Sequence, residues 1–87
     1  MATITHIIQD PLGMHARPAG MLVKEASKYP QCTIHVSVEG GTPVDAKRIM
    51  GVMKLAAKQG MTLTVTVTGE NEDTVALQLQ DFLKENL

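Results

Sequence analysis

The segment Gly13-Met14-His15-Ala16-Arg17-Pro18-Ala19 places a histidine and an arginine at a loop that leads into a helix. A histidine ring nitrogen is a nucleophile that can take a phosphoryl group. An arginine grips phosphate oxygens in pairs through its planar fork of N–H donors. If the helix begins at Ala16, His15 takes the cap position and Pro18 falls in the first turn, where its missing N–H removes nothing the helix needs. The free N–H groups of Ala16 and Arg17, in the Ala16-Arg17-Pro18 turn, would then form an anion site with the helix dipole. That positive end also favours the neutral imidazole, which is the form that attacks. Gly13 lets the chain approach closely and keeps the ring uncovered. The chemistry expected of His15 and Arg17 is therefore phosphate handling. An ordinary polar cap would also put a histidine at a helix start, and the residues alone leave both readings open.

Other residues with chemical potential carry less. His35 alternates onto the wet face of a strand, and His6 reads as a hydrogen-bonded core residue or an edge residue. His6, His15 and His35 lack the spacing of metal ligands, and Cys32 has no partner nearby, so no metal and no cofactor is expected. Cys32 reads as a small buried apolar residue. Glu70, Glu72 and Asp73 read as charges at a helix start, not as paired catalytic carboxylates.

These residues need elements to hold them. Cys32, Ile34, Val36 and Val38 alternate with Thr33, His35 and Ser37, and Leu63, Val65 and Val67 alternate with threonines over Thr62 to Thr68. Period 2 with β-branched residues describes antiparallel strands that have one dry and one wet face. Thr3 to Ile8 reads as a third strand, and Thr42 to Asp45 as a short return after the Glu39-Gly40-Gly41 turn, with Pro43 suited to an edge. Ala19, Leu22, Val23 and Ala26 form one helical stripe between Ala16 and Lys28. A shorter helix is expected from Lys47 to Leu55, with Ile49, Val52 and Met53 as its stripe. A last helix is expected from Asn71, capped by that side chain, with Val75, Leu79, Phe82 and Leu83 inside. The order β-α-β-β-α-β-α predicts an open-faced α/β sandwich (an α+β fold), with three helices on one face of a four-stranded antiparallel sheet.

The chain of 87 residues makes one domain, 1–87, with no linker or repeat. A net charge of -1, with Tyr29 and Phe82 as the only aromatics, argues against nucleic-acid binding. No apolar run suffices to span or insert in a membrane, the first ten residues lack a signal-peptide pattern, and a lone cysteine suits a reducing compartment. A cytoplasmic location is the expectation.

The segment 13–19 resembles the active-site signature of HPr, the phosphocarrier of the bacterial sugar phosphotransferase system. Asp45-Ala46-Lys47-Arg48-Ile49-Met50-Gly51-Val52-Met53 resembles the second motif of that family. The likeness extends over nearly the whole chain. It implies that His15 accepts phosphate through Nδ1 from phospho-Enzyme I and passes it to sugar-specific IIA domains. Arg17 would screen charge during transfer, and the protein would act as a stoichiometric carrier without turnover of its own. One position departs from the pattern: Arg48 stands where the family usually has a regulatory serine, so phosphorylation there by an ATP-dependent HPr kinase is excluded.

The resemblance also implies a docking surface on the first two helices. Met21 lies opposite the core stripe of its helix and Met50 off the stripe of the next, and methionine repacks readily against different partners. Gly20, Met21, Lys24, Arg48, Met50, Gly51 and Met53 are assigned to this surface, with Lys24 and Arg48 supplying basic character for acidic partners. A monomer is the simplest form for such a carrier. Three rivals remain: a small phosphatase, an HPr-like regulatory paralogue phosphorylated at His15 in nitrogen or stress signalling, and a binding module without phosphotransfer.

Overall fold

The computed structural model describes residues 1–87. Four strands alternate with three helices: β1 (Ala2–Ile7), α1 (Ala16–Ala26), β2 (Cys32–Val38), β3 (Val44–Asp45), α2 (Ile49–Lys54), β4 (Thr62–Gly69) and α3 (Glu72–Asn86). All strand pairings are antiparallel, and the sheet order is β1-β4-β2-β3. This is the open-faced sandwich that the element order predicts. Register follows from the alternation of side chains. Ile34 pairs with Val67 and Val36 with Val65, so every apolar side chain of β2 and β4 falls on one face. The other face carries Thr33 opposite Thr68, His35 opposite Thr66 and Ser37 opposite Thr64.

The core lies between the dry face and the helices. Pro18, Ala19, Leu22 and Ala26 of α1 and Val75, Ala76, Leu79 and Leu83 of α3 are buried against Ile34, Val36, Leu63, Val65 and Val67. Lys47 ties the entry of α2 to the loop after α1 and to the start of β2, donating from Nζ to the carbonyl oxygens of Tyr29 at 2.9 Å and Cys32 at 2.6 Å.

Several local expectations are corrected. The helix α1 ends at Ala26, because Lys28 N–H turns to the Glu25 carbonyl and Tyr29 N–H to that of Ala26, tightening the chain out of α geometry. β1 starts and ends one residue earlier than the sequence suggests, and β3 holds only two residues. The helix α2 is shorter than expected and buries only Val52 of its three stripe residues. Ile49 and Met53 face outward, because Ala46 and Leu55, just outside the helix, fill the core beside it. Asn71 does not cap α3 through its side chain. It sits in the left-handed region at φ 61°, a conformation asparagine tolerates. His6 lies on the core side of β1, half-buried, with Nε2 left without a hydrogen-bond partner.

The loop from β1 to α1 is clamped from two sides. Gln9 and Asp10 N–H groups donate to the main-chain oxygen of Leu87, the residue after α3, and Met14 N–H donates to Ala57 O at 2.8 Å. Gly13 has φ +69°, and a Cβ there would lie 2.4 Å from Ala57 O and 2.9 Å from Lys58 Cα. Only glycine fits that approach. Met14 is buried directly before His15, which turns the histidine outward from an anchored neighbour.

Candidate functional site

His15 is the N-cap of α1, with extended backbone at φ −108° and ψ −175°. Its carbonyl accepts the N–H of Ala19 at 2.9 Å, but its side chain makes no cap hydrogen bond. The ring is therefore not consumed as a polar cap, and about a third of the side chain stays exposed (34%). Ala16 and Arg17 follow as the first helical residues, and neither N–H has a protein acceptor. Pro18 has no N–H to offer. The helix end thus presents two free donors beside the ring, in the place where a dipole favours an anion.

Arg17 is exposed and forms no ion pair, so its guanidinium is available. An open depression of about 340 Å³ is lined by Asp10, Leu12, His15, Arg17, Pro18, Met21 and Asn86. His15 and Arg17, predicted as a pair, do meet there. Asp10 was not foreseen as a site residue. Its Oδ2 lies 3.6 Å from His15 Nε2, and its Oδ1 accepts the Leu12 N–H at 2.9 Å. An aspartate followed by proline at a strand exit signals an Asx turn, and that turn is what aims the carboxylate.

The residues assigned to docking fall mostly on one surface. Met21 lines the depression, and Lys24 lies three residues on, on the same helix face. Gly20 brings α1 close to α2: a Cβ on it would lie 3.8 Å from Ile49 Cδ1. Met50 is exposed (70%), and Met53, on the same side of α2, is partly so. Arg48 is the N-cap of α2, with Nε 3.8 Å from Asp45 Oδ2. Gly51 departs from this grouping, being half-buried with its Cα facing Val44 of β3. Two further apolar side chains outside that assignment are also exposed on this side. Ile49, expected in the core from its spacing, is exposed, and Leu12 is exposed on the site loop. The signal for Leu12 was its position between Pro11 and Gly13, where a core residue would have little support.

A protein-family model described as "PTS HPr component phosphorylation site" matches residues 2–85. The chain is 42% identical over 85 residues to the phosphocarrier protein HPr of Lysinibacillus sphaericus, covering 98% of this chain and 94% of that protein. It is 45% identical over 80 residues to the phosphocarrier protein HPr of Xylella fastidiosa, covering 92% of this chain and 86% of that one. The crystal structure of HPr-C-His from Thermoanaerobacter tengcongensis superposes with a TM-score of 0.89 at 34% identity, covering 99% of this chain and 94% of that chain. Fold and matches together define the class: a small phosphocarrier built as an open-faced sandwich. The chain belongs to the HPr family, the phosphocarriers of the phosphotransferase system (PTS).

Proposed function

We propose that His15 is the phosphoryl acceptor, taking phosphate through Nδ1 from phospho-Enzyme I and passing it to IIA domains of sugar permeases. The Nδ1 lone pair forms the new N–P bond while the donor's P–N bond breaks and its ring keeps the electron pair. His15 then carries a positively charged ring that still holds its Nε2 proton. The Ala16 and Arg17 N–H groups and the Arg17 guanidinium supply donors where the phosphate charge arrives. One observation carries this reading: a partly exposed histidine whose ring makes no cap hydrogen bond stands beside free helix N-terminal donors and an unpaired arginine. Reversal of the same step hands the phosphate on, so the protein is a stoichiometric intermediate without turnover of its own.

The partners dock on the surface of α1 and α2, where Met21, Ile49, Met50 and Met53 are ringed by Lys24 and Arg48. Acidic partner surfaces suit that basic rim. In this reading the protein works as a cytoplasmic monomer, and no helix in it is long and apolar enough to cross a membrane. The test is phosphorylation by phosphoenolpyruvate and a bacterial Enzyme I, read by intact mass. Wild type should gain one acid-labile, alkali-stable phosphate and His15→Ala none. Phosphate gained equally by both proteins would place the acceptor elsewhere, and none on folded wild type would remove the carrier role.

A further inference from the structure

A histidine that attacks through Nδ1 must keep its proton on Nε2, because a neutral imidazole has one protonated and one free nitrogen. Free neutral histidine already leans toward that tautomer, and an acceptor facing Nε2 holds and strengthens the preference in the fold. The atom found there is Asp10 Oδ2, 3.6 Å away. Asp10 is held from three directions: its N–H donates to Leu87 O at 3.0 Å, its carbonyl accepts Gly13 N–H at 2.9 Å, and its Oδ1 accepts Leu12 N–H at 2.9 Å. Those bonds leave Oδ2 as the oxygen with no partner but the ring.

We propose that Asp10 is a positioning residue for His15, its carboxylate holding the ring proton on Nε2 so that the Nδ1 lone pair stays free for phosphorus. The proposal rests on the carrier reading given above. A distance of 3.6 Å is too long for a hydrogen bond, so in the resting protein the bias is electrostatic. Such contacts tighten in the reacting complex, and here the ring turns positive as the N–P bond forms. The Nε2 proton remains on the ring throughout, facing the carboxylate, and Asp10 itself gains none. The two ring nitrogens point away from each other, which lets a carboxylate serve Nε2 without occupying the phosphate position at Nδ1.

A plain turn-former would explain the Leu12 bond equally well, so the test must separate turn from ring. Asp10→Asn keeps an oxygen for Leu12 N–H but turns an NH2 group toward Nε2, which favours a proton on Nδ1 instead. Asp10→Ser keeps a turn acceptor too short to reach the ring. Nitrogen-15 NMR of neutral His15 reads the tautomers directly. Wild type should exceed the Nε2–H preference of free neutral histidine, and the ratio of Nε2–H to Nδ1–H should fall in both variants, further in Asp10→Asn. His15 phosphorylation by phosphoenolpyruvate and Enzyme I should slow by about tenfold, the low end of what losing an orienting carboxylate costs a metal-bound histidine. Wild type mainly Nδ1–H, or variants with unchanged tautomers, would overturn the proposal. So would faster phosphorylation in Asp10→Ser, which would mark the carboxylate as a repulsive neighbour of phosphate. If wild type took no phosphate, the carrier reading would fall and the proposal with it. Phosphorylated wild type with an unaffected Asp10→Asn would remove Asp10 alone.

Discussion

Two backbone positions with positive φ carry opposite consequences. At Gly13 the left-handed conformation is combined with contact against the backbone of Ala57 and Lys58, so a side chain is both strained and obstructed. Gly13→Ala should lower stability by at least about 2 kcal/mol in urea unfolding, from the left-handed penalty plus the forced shift of the loop. The same shift moves His15, so phosphorylation should slow even where the variant is fully folded. Ala56 is the converse case. It follows the end of α2 at φ 52°, in the position where helices commonly place glycine. Ala56→Gly should raise stability by about 1 kcal/mol, as relief of the left-handed strain exceeds the entropy glycine adds to the unfolded chain. An unchanged urea midpoint would show that Ala56 is already relaxed there.

At the scale of the element, α2 is marginal by construction. It has one turn and a half, buries one residue and is entered through Arg48, which caps nothing. Arg48→Ser would supply a hydroxyl for a free N–H and should stabilise the protein by about 1 kcal/mol. The exposed Arg48–Asp45 pair lost in the exchange is worth little in comparison, about 0–1 kcal/mol. A fall in stability would mean that the ion pair outweighs the cap. The same helix turns Ile49, Met50 and Met53 outward, a poor use of apolar side chains unless a partner covers them. Met50→Asp should weaken binding to Enzyme I about tenfold or more, with the urea midpoint unmoved because the side chain is exposed. Unchanged affinity by calorimetry would take Met50 off the docking surface.

For the molecule as a whole, packing of α1 against α3 is sealed at one end by Tyr29. Its hydroxyl lies between Gln78 Oε1 and Glu25 Oε2, the latter at 3.3 Å. Burial pushes the Tyr29 hydroxyl above its ordinary value of 10.0, and the charge and hydrogen bond of Glu25 push the same way, against a smaller effect of Lys28. A folded value above the unfolded one means the protonated hydroxyl is favoured in the fold. Its contribution is complete below pH about 10 and is lost as pH rises through the folded value. The stability advantage of wild type over Tyr29→Phe, measured in urea at pH 8 and pH 11, should therefore shrink at the higher pH. An advantage that grew with pH would reverse the assignment.

Fold class was legible because it rests on periodicity and order. Alternation in Cys32–Val38 and Thr62–Thr68 sets which face of the sheet is dry, and the spacing of Ala19, Leu22 and Ala26 sets the helix that covers it. His15 and Arg17 were legible as well, since both sit within one turn of a helix start and local chain geometry brings them together. What failed were short or non-local features. In α2, periodicity over six residues could not tell whether Ile49 and Met53 face the core, because Ala46 and Leu55 outside the helix compete for the same space. Asn71 has the composition of a side-chain cap, yet the turn out of β4 holds it left-handed. The meeting of Asp10 with His15 depends on a loop whose path is set by Leu87, Ala57 and Lys58, far away in the chain. Local pattern determined the elements and the pair of residues at the helix start. Only tertiary packing decided which apolar residues of α2 stay exposed and which carboxylate faces the histidine, because those choices are made by contacts between segments distant in sequence.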